Sequence, residues 1–277
     1  MAREPRRKIT VYHVSAPTCW WSWGYEGALN RIRQRYGNQV TVRTFYGTVW
    51  EDFGEYLKEN DLTIQGLRAW AKEAAGTMGV PIRATYTENE PKDLKPATHA
   101  SMAALGQGPR KGERFVRAVM RRFVVEGLDV TDETVLTDAA TEAGLDLAKF
   151  RKASHDPKGL AKAIEHQGHS WPHLPIGFYN VAISDGRDRT VILDDAFDPS
   201  VLEEAIDYLS NGSLRKHAPP DVVTYLRTHG LSPAMELARI TGVKLAPMER
   251  RLAALEKKGR VEQVRLAGAA HWRISSR

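Results

Sequence analysis

The sequence predicts an α/β protein in which a mixed four-stranded sheet with a long helical insertion precedes a small C-terminal domain. Two β-rich runs flank a helical pattern near the N-terminus, and no convincing strand follows between about residue 55 and residue 170. Strand-like runs then return on either side of the pair Asp185-Gly186, a hairpin signal. We therefore predict a first domain over residues 1–212, with its insertion at about 55–170, and a second domain over residues 213–277.

The N-terminal elements form a strand, helix, strand unit. The run from Ile9 to Val14 is rich in β-branched and aromatic residues and predicts a strand, as does the run from Val40 to Tyr46. Between them, residues 19–36 show apolar residues at helical spacing and end at a Gly-Asn pair, as a helix does. A unit of this length favours a right-handed parallel crossover.

The remaining elements of the first domain follow from similar patterns. Residues 176–183 and 189–193 predict the two strands of the hairpin, and Asp198-Pro199 opens a last amphipathic helix. The helices predicted in the insertion cover residues 63–78, 97–107, 111–126, 132–143, 146–153 and 157–166.

Composition limits the class of protein. The chain has 277 residues, of which 42% are hydrophobic and 27% charged, as in ordinary globular proteins. No run approaches 18 apolar residues, so no membrane partner is expected. The basic start is followed by a strand-like run instead of an apolar signal core, which predicts a cytoplasmic protein. One cysteine, Cys19, excludes an intramolecular disulfide.

Charge is concentrated at the C-terminal end. Residues 216–277 contain 12 Lys and Arg against 5 Asp and Glu, an excess of seven positive charges, whereas the whole chain carries a net charge of +6. This asymmetry indicates a separate module with an acidic partner, of which a phosphate backbone is the commonest.

Cys19 lies where the first predicted strand has ended and the helix begins. The free N–H groups and the positive end of the helix dipole at such a position favour a thiolate. Trp20, Trp21 and Trp23 adjoin it, so three of the seven tryptophans lie within four residues of the cysteine. Successive helical residues are rotated by about 100°, and we therefore expect one or two of these rings to be exposed as an apolar rim for a peptide or small thiol.

The segment Ala16-Pro-Thr-Cys19-Trp-Trp-Ser22 resembles the Pro-x-Cys-x-x-Cys segment of the DsbA-like thioredoxin-fold family. That group includes FrnE-type dithiol isomerases, 2-hydroxychromene-2-carboxylate isomerase and kappa-class glutathione transferases. The resemblance implies a thioredoxin-like sheet with a helical insertion and a redox site at Cys19. It also implies a cis-proline before the third strand, a position that Pro175 matches.

The same resemblance suggests catalytic and substrate-binding residues. Cys19 would be the nucleophile, Ser22 would assist it, and Pro175 would shape the substrate groove. The groove would be lined by Trp20, Trp21, His173 and Leu174. His166, His169 and His173 have spacings that suit a metal, but only one carboxylate and no cysteine accompany them, so no metal site is expected.

Ser22 departs from the family pattern because it stands where the second cysteine would be. A Cys-x-x-Ser site forms a mixed disulfide but does not resolve it internally. The first hypothesis is therefore a cytoplasmic monothiol thiol-disulfide oxidoreductase or isomerase that acts on a protein or small-molecule thiol or disulfide. No tightly bound cofactor is expected, apart from glutathione or another low-molecular-weight thiol as a capping partner.

The C-terminal residues resemble a winged helix-turn-helix. Helices are predicted over residues 219–230, 232–241 and 245–258, and a hairpin follows over residues 261–274. In a DNA-bound interpretation the contacts would come from Lys244, Arg250, Arg251, Arg265 and Arg273. The alternative is a winged helix that binds protein.

Two further hypotheses follow. One is a redox-responsive DNA-binding regulator in which modification of Cys19 is reported through the winged helix. The other is a non-catalytic adaptor that binds a protein partner in the groove.

Overall fold

The structure, a computed structural model, describes residues 9–276 of the chain. Seven strands lie in this range. They are β1 (Ile9–Ser15), β2 (Val40–Tyr46), β3 (Asn180–Ser184), β4 (Thr190–Asp194), β5 (Ser232–Pro233), β6 (Val261–Leu266) and β7 (Ala269–Ile274).

Twelve α-helices lie in the same described range. They are α1 (Trp20–Tyr36), α2 (Phe53–Glu59), α3 (Ile64–Met78), α4 (Lys95–Leu105), α5 (Pro109–Arg121), α6 (Glu133–Glu142), α7 (Leu147–Ser154), α8 (Pro157–His169), α9 (Pro199–Ser210), α10 (Val222–His229), α11 (Ala234–Thr241) and α12 (Leu245–Lys257). A 3₁₀ turn follows α1 at Gly37–Gln39, and a π-helical turn follows α5 at Arg122–Glu126.

Most of these helices begin at a residue that the sequence marks as an N-cap. The cap side chain accepts a hydrogen bond from a backbone N–H group of the first turn, which would otherwise have no partner. The residues that do so are Asp52, Thr63, Asp132, Asp146, Asp156, Asp198 and Asp221.

The larger sheet has the strand order β2-β1-β3-β4. Strand β3 is antiparallel to β1, with Val11 opposite Ile183, and the β3–β4 hairpin is antiparallel with Ala182 opposite Ile192. Every second residue of β1 is buried, as expected for a strand with one covered face. The predicted four-stranded sheet is therefore present.

The chain forms two compact units. Of the described residues, the first comprises 9–14, 24–44 and 175–276, and the second comprises 15–23 and 45–174. Residues 213–276 lie in the first unit, and the domain boundary between residues 212 and 213 stays a prediction.

The second unit is a helical assembly in which α4 packs against α5 and α7. Small side chains permit this packing, because Ala97, Ala100 and Ala104 of α4 are all buried. Gly112 of α5 allows the closest approach, since a Cβ atom there would lie 2.5 Å from the Cα atom of Leu105.

Residues 222–274 of the first unit have an apolar core of their own. Strands β5, β7 and β6 form a three-stranded sheet in that order, and α10, α11 and α12 contribute to the same core. Its fully buried members are Val222, Leu237, Ile240, Met248 and Leu252. The predicted three helices and hairpin are therefore present, and β5 is an addition to them.

Helix α11 lies directly against α1 in the first unit. A Cβ atom on Gly27 would lie 3.2 Å from the Cβ atom of Arg239 and 3.3 Å from the Cα atom of Glu236. Two buried hydrogen bonds accompany this contact: Asn30 donates to the Tyr225 hydroxyl, which donates to the Glu236 carboxylate. The contact therefore combines a close backbone approach with a polar chain that is shielded from water.

Two further elements, β3 and α2, differ from the prediction. Strand β3 begins at Asn180 instead of Ile176, because residues 171–177 are irregular and a turn at residues 178–179 precedes the strand. Helix α2 was not predicted, since its seven residues are too short to show a helical period.

We predict that Gly27→Leu lowers the free energy of unfolding by about 1–3 kcal/mol, the usual cost of overpacking. The added side chain has no room between α1 and α11. The measurement is urea-induced unfolding followed by circular dichroism. Gly76→Leu is the matched control, because Gly76 also lies inside a helix but has nothing within 4 Å of its Cβ position. Equal effects of the two substitutions would contradict the close contact.

A second prediction concerns His13 of β1. Burial, with a smaller contribution from the positive charge of Arg33, lowers the pKa of His13 to about 3. The unfolded chain therefore binds a proton near pH 6.5 that the folded chain does not accept. The stabilisation that comes from the neutral imidazole is fully present above pH 6.5. It is lost as the pH falls towards 3, and the free energy of unfolding then decreases by up to about 1.4 kcal/mol per pH unit.

The measurement is the pH dependence of the urea midpoint for the wild type, His13→Leu and His166→Leu, the last being an exposed histidine. The His13 variant is expected to show a shallower acid slope than the other two proteins. The same slope in all three would contradict the prediction.

Candidate functional site

Cys19 is positioned by the turn between β1 and α1. Its backbone N–H donates to the Ala16 carbonyl at 3.1 Å, and its own carbonyl accepts from the N–H of Trp23 at 3.2 Å. The cysteine therefore lies at the start of the helix, as the sequence predicts.

The thiol is nevertheless buried, with 3% of the residue exposed. Burial raises the pKa of Cys19, because a thiolate loses its hydration there. The N–H groups of Ser22 and Trp21 and the Ser22 hydroxyl lower this pKa in part, but the burial effect is larger. The expectation of an ionised, reachable thiolate at Cys19 is therefore wrong.

Aromatic side chains of the second unit cover the first turn of α1. Trp20 makes edge contacts with Trp70 and Tyr86, with ring centroids 5.2 and 5.8 Å apart. The Arg117 guanidinium lies 5.2 Å from the ring centroid of Trp23. Trp20 and Trp23 are buried, and Trp21 alone of the three remains partly exposed. The predicted rim of one or two exposed rings is therefore reduced to part of Trp21.

The residues of the insertion that cover this turn were missed by sequence reasoning. Tyr56 also lies close enough for the Cys19 charge to affect it, and burial raises the pKa of Tyr56 to about 12. All of these residues lie more than 30 positions from Cys19 in the sequence. The sequence contains the aromatic residues Trp70 and Tyr86, but no local pattern predicts that they contact this turn.

Several buried polar atoms around Cys19 have no hydrogen-bond partner in the described part of the chain. They are Thr18 Oγ1, Trp20 Nε1, Ser22 Oγ and Trp23 Nε1. The Ser22 hydroxyl is close enough to influence the Cys19 pKa, but its geometry does not reach that of a hydrogen bond. Buried polar groups usually find a partner, so these four atoms distinguish the turn from an ordinary apolar core.

The predicted cis-proline is not present. All peptide bonds among residues 9–276 are trans, including Leu174–Pro175. Pro175 is exposed and lies five residues before β3, so it does not enter the third strand directly as the prediction required. His173 is exposed with a φ of 54°, Leu174 is partly buried, and their assignment to a substrate groove stays a prediction.

The residues predicted to contact DNA are all exposed. Lys244 precedes α12, and Arg250 and Arg251 lie on that helix. On the hairpin, Arg265 donates to the Gly268 carbonyl and Arg273 pairs with Glu262 at 2.5 Å. Exposure leaves these cations available, but the two hairpin arginines are engaged within the hairpin.

Two kinds of feature, a metal-binding cluster and a membrane-spanning helix, are absent from the described residues. Residues 9–276 contain no group of three or more His, Cys, Asp or Glu side chains that could hold a metal ion. Within the same range, no helix combines the length and apolar character that crossing a membrane requires.

Comparison with known proteins identifies the family. Residues 12–163, more than half of the chain, match the family model described as thioredoxin. The chain belongs to the thioredoxin family. The α/β thioredoxin-like fold with a helical insertion, predicted from the sequence, is thereby confirmed.

Some relatives of this thioredoxin-family chain are similar to it over nearly its whole length. The ClpXP adapter protein SpxH of Halalkalibacterium halodurans is 23% identical over 287 residues, which cover 98% of this chain and 90% of the relative. SpxH of Bacillus subtilis (strain 168) is 21% identical over 281 residues, covering 99% of this chain and 91% of the relative.

Solved structures share the fold of this thioredoxin-family protein. A putative protein disulfide isomerase from Nitrosomonas europaea is 21% identical, with a TM-score of 0.54 over 80% of this chain and 100% of its own. The cytosolic disulfide reductase DsbM from Pseudomonas aeruginosa is 22% identical, with a TM-score of 0.53 over 72% of this chain and 99% of its own. At these identities the similarity concerns the fold.

We predict that Cys19 reacts slowly with a neutral alkylating reagent such as N-ethylmaleimide. Burial blocks access, and the raised pKa keeps the thiol protonated to higher pH than the ordinary value of about 8.5. The measurement is the alkylation rate against pH, by mass spectrometry, for the folded chain and for the chain in urea. A rate midpoint in the folded chain at or below that of the unfolded chain would contradict this prediction.

Proposed function

We propose that this protein is an adapter that binds a protein partner for a ClpXP-type protease without catalysing thiol chemistry. The observation that carries the proposal is the buried Cys19 thiol with its raised pKa. A dithiol oxidoreductase needs a reactive thiolate and a resolving cysteine, and here Ser22 stands at the second position.

The extent of the similarity to relatives supports the same proposal. The relatives named as ClpXP adapters align with 98–99% of this chain, including its C-terminal elements. The disulfide isomerase and reductase structures cover only 80% and 72% of it. The relatives named as adapters are therefore similar to nearly the whole chain, whereas the structures named as oxidoreductases are similar to part of it. Together with the adapter function, we propose a cytoplasmic location for the protein.

We predict that Cys19→Ala leaves adapter activity unchanged within about twofold, because the buried thiol takes no part in chemistry. The measurement has two parts. Pulse-labelling compares protein half-lives in cells lacking this protein with cells that express the wild type or the variant. Proteins whose half-lives lengthen in its absence are then incubated with purified ClpXP, with and without the purified chain.

Partner-dependent acceleration of degradation by both the wild type and Cys19→Ala is the expected result. Acceleration by neither protein would contradict the adapter function. Loss of acceleration in the variant alone, together with reduction of insulin disulfides by the wild type, would favour the oxidoreductase.

The second candidate is the monothiol oxidoreductase. It is favoured by the two N–H groups of the first turn of α1 that lower the Cys19 pKa, and by the four unpartnered polar atoms on residues 18–23. In this function, Cys19 forms a mixed disulfide with a protein thiol or with glutathione. Intact-mass measurement after incubation with oxidised glutathione tests it, and an adduct on Cys19 in the folded chain is the expected sign.

DNA binding is the third candidate, and the exposed cations Lys244, Arg250 and Arg251 favour it. In this function, residues 213–277 act as a winged helix-turn-helix with α12 in the major groove. Electrostatic binding of this kind weakens steeply with salt, so a mobility-shift assay at two salt concentrations tests it. Absence of a shift at low salt would exclude this function.

A further inference from the structure

Strand β4 forms one edge of the larger sheet, because the strand order is β2-β1-β3-β4. Its sequence, Thr-Val-Ile-Leu-Asp, contains neither the proline nor the lysine with which edge strands often prevent pairing with another chain. The middle residue, Ile192, is 40% exposed although its side chain is large and apolar. The edge is therefore open, and it is apolar at its centre.

The hydrogen bonds at the two ends of the β3–β4 hairpin show which backbone groups of β4 point outwards. At one end, the N–H of Asp185 donates to the Arg189 carbonyl at 3.1 Å. At the other end, the N–H of Asp195 donates to the Tyr179 carbonyl at 3.2 Å. Bonded and non-bonded pairs alternate along an antiparallel ladder, so the odd-numbered residues of β4 are the ones that bond to β3.

The even-numbered residues of β4 direct their N–H and C=O groups away from β3. They are Thr190, Ile192 and Asp194, and all three are exposed. Among residues 9–276, no hydrogen bond reaches these backbone groups. A row of unpaired backbone groups on an exposed edge is a template for a further strand.

This edge is complementary to itself. In an antiparallel pair of two β4 strands centred on Ile192, that residue lies opposite its own copy, and Thr190 lies opposite Asp194. All three pairs then use the outward-pointing backbone groups. The Asp194 carboxylate accepts one hydrogen bond, from the Asn180 amide at 3.2 Å, and it retains acceptor sites for the Thr190 hydroxyl of the other copy.

The charges that flank the strand agree with the same register. Arg189, which pairs with Asp185 at 2.9 Å within its own chain, comes opposite Asp195 of the other copy. No like charges therefore face each other along the paired strands, and like charges directly opposite would be unfavourable. Charge complementarity thus favours a second copy of this chain as the occupant of the edge.

Helix α9 presents an apolar stripe that consists of Val201, Ala205 and Tyr208. Their spacing of i, i+4 and i+7 places them on one side of the helix. Val201 and Tyr208 are exposed, and Ala205 is partly exposed. The adjacent stripe of the same helix is buried and consists of Leu202, Ile206 and Leu209.

The exposed stripe lies on the β4 side of α9. On the opposite side of the helix, Glu203 pairs with Arg31 of α1 at 2.6 Å. The Arg189 guanidinium, just before β4, lies 5.7 Å from the ring centroid of Tyr208. Arg189 also donates to the Leu209 carbonyl at 2.6 Å, which places the end of α9 beside the start of β4.

A second copy that pairs through β4 also brings its own α9 to this stripe. Two antiparallel strands in one sheet are related by a two-fold axis perpendicular to the sheet, so both α9 helices lie on the same face. The exposed apolar side chains of the two helices then continue the interface beyond the strands.

We propose that two copies of this protein associate through β4, so that their four-stranded sheets join into one sheet of eight strands about a two-fold axis at Ile192. A standard interface involves about 20–30 residues a side. Strand β4 and the α9 stripe offer fewer, so the dimer is expected to be reversible and dependent on concentration. The dimer does not depend on the proposed adapter function.

The first experiment measures the mass of the full chain by sedimentation equilibrium from about 1 µM to about 1 mM. The weight-average mass is expected to rise from that of one chain towards that of two. Ile192→Lys is expected to weaken dimerisation by about fivefold or more, because two like charges would face each other at the two-fold axis.

Leu128→Lys is the matched control. Leu128 is 41% exposed, close to the value for Ile192, and it lies outside β4 and α9. This substitution is expected to leave dimerisation unchanged. Circular dichroism melting of each variant establishes that its fold is intact.

The second experiment tests the register with Ile192→Cys and Leu128→Cys, each in a Cys19→Ala background, and a short bismaleimide cross-linker. In a hydrogen-bonded antiparallel pair the opposed Cα atoms are about 5.5 Å apart, so the two introduced sulfurs at position 192 lie within reach of each other. Cross-linked dimers are expected from Ile192→Cys and not from Leu128→Cys.

A monomer at every concentration, equal effects of the two lysine substitutions, or equal cross-linking of the two cysteine variants would overturn the proposal. A monomeric wild type whose Ile192→Lys variant no longer accelerates ClpXP degradation would overturn it in favour of a partner's strand on the same edge. A dimer that matches these expectations without any acceleration of ClpXP degradation would retain the interface and reject the adapter function.

Discussion

The structure of the first unit depends on the close approach of α1 to α11, which the missing side chain of Gly27 permits. Without it, Arg239 would not reach the Gly24 carbonyl, and the buried chain from Asn30 through Tyr225 to Glu236 would not close. Because each member of that chain is buried, breaking one hydrogen bond leaves another polar group without a partner. These contacts hold the C-terminal elements against α1.

At Cys19 two physical effects oppose each other, and their magnitudes decide the outcome. A helix N-terminus stabilises a negative charge by about 0.3–1 kcal/mol. Complete burial shifts a pKa by up to about 3–5 units, each worth about 1.4 kcal/mol. Cys19 is buried in this way, and aromatic side chains of the insertion also cover the neighbouring Trp20 through Trp70 and Tyr86. The same turn that favours a thiolate in an open site therefore holds a neutral thiol here.

The sequence predicts the elements well because their signals are local. The helix start at Asp198, the βαβ unit and the Asp185-Gly186 hairpin depend on neighbours within a few positions, and each is present. The state of Cys19 depends on burial, and the residues that cover its turn, among them Trp70 and Tyr86, are brought there by tertiary packing. The trans bond before Pro175 and the start of β3 at Asn180 were not predicted for a similar reason. The apolar residues near Ile176 have the composition of a strand, but they are not paired with a neighbouring strand.

These considerations favour a function that resides on the surface of the protein. A binding surface does not need a second cysteine, an ionised sulfur or a cis-proline, and none of these is present among the described residues. It does need exposed charge, and Lys244, Arg250 and Arg251 supply it. These residues lie near the C-terminal end of the chain, and the adapter relatives align with 98–99% of the chain. In the proposed adapter function the thioredoxin fold acts as a scaffold, since the close approach at Gly27 and the hydrogen bond from Arg239 to the Gly24 carbonyl hold α11 against α1.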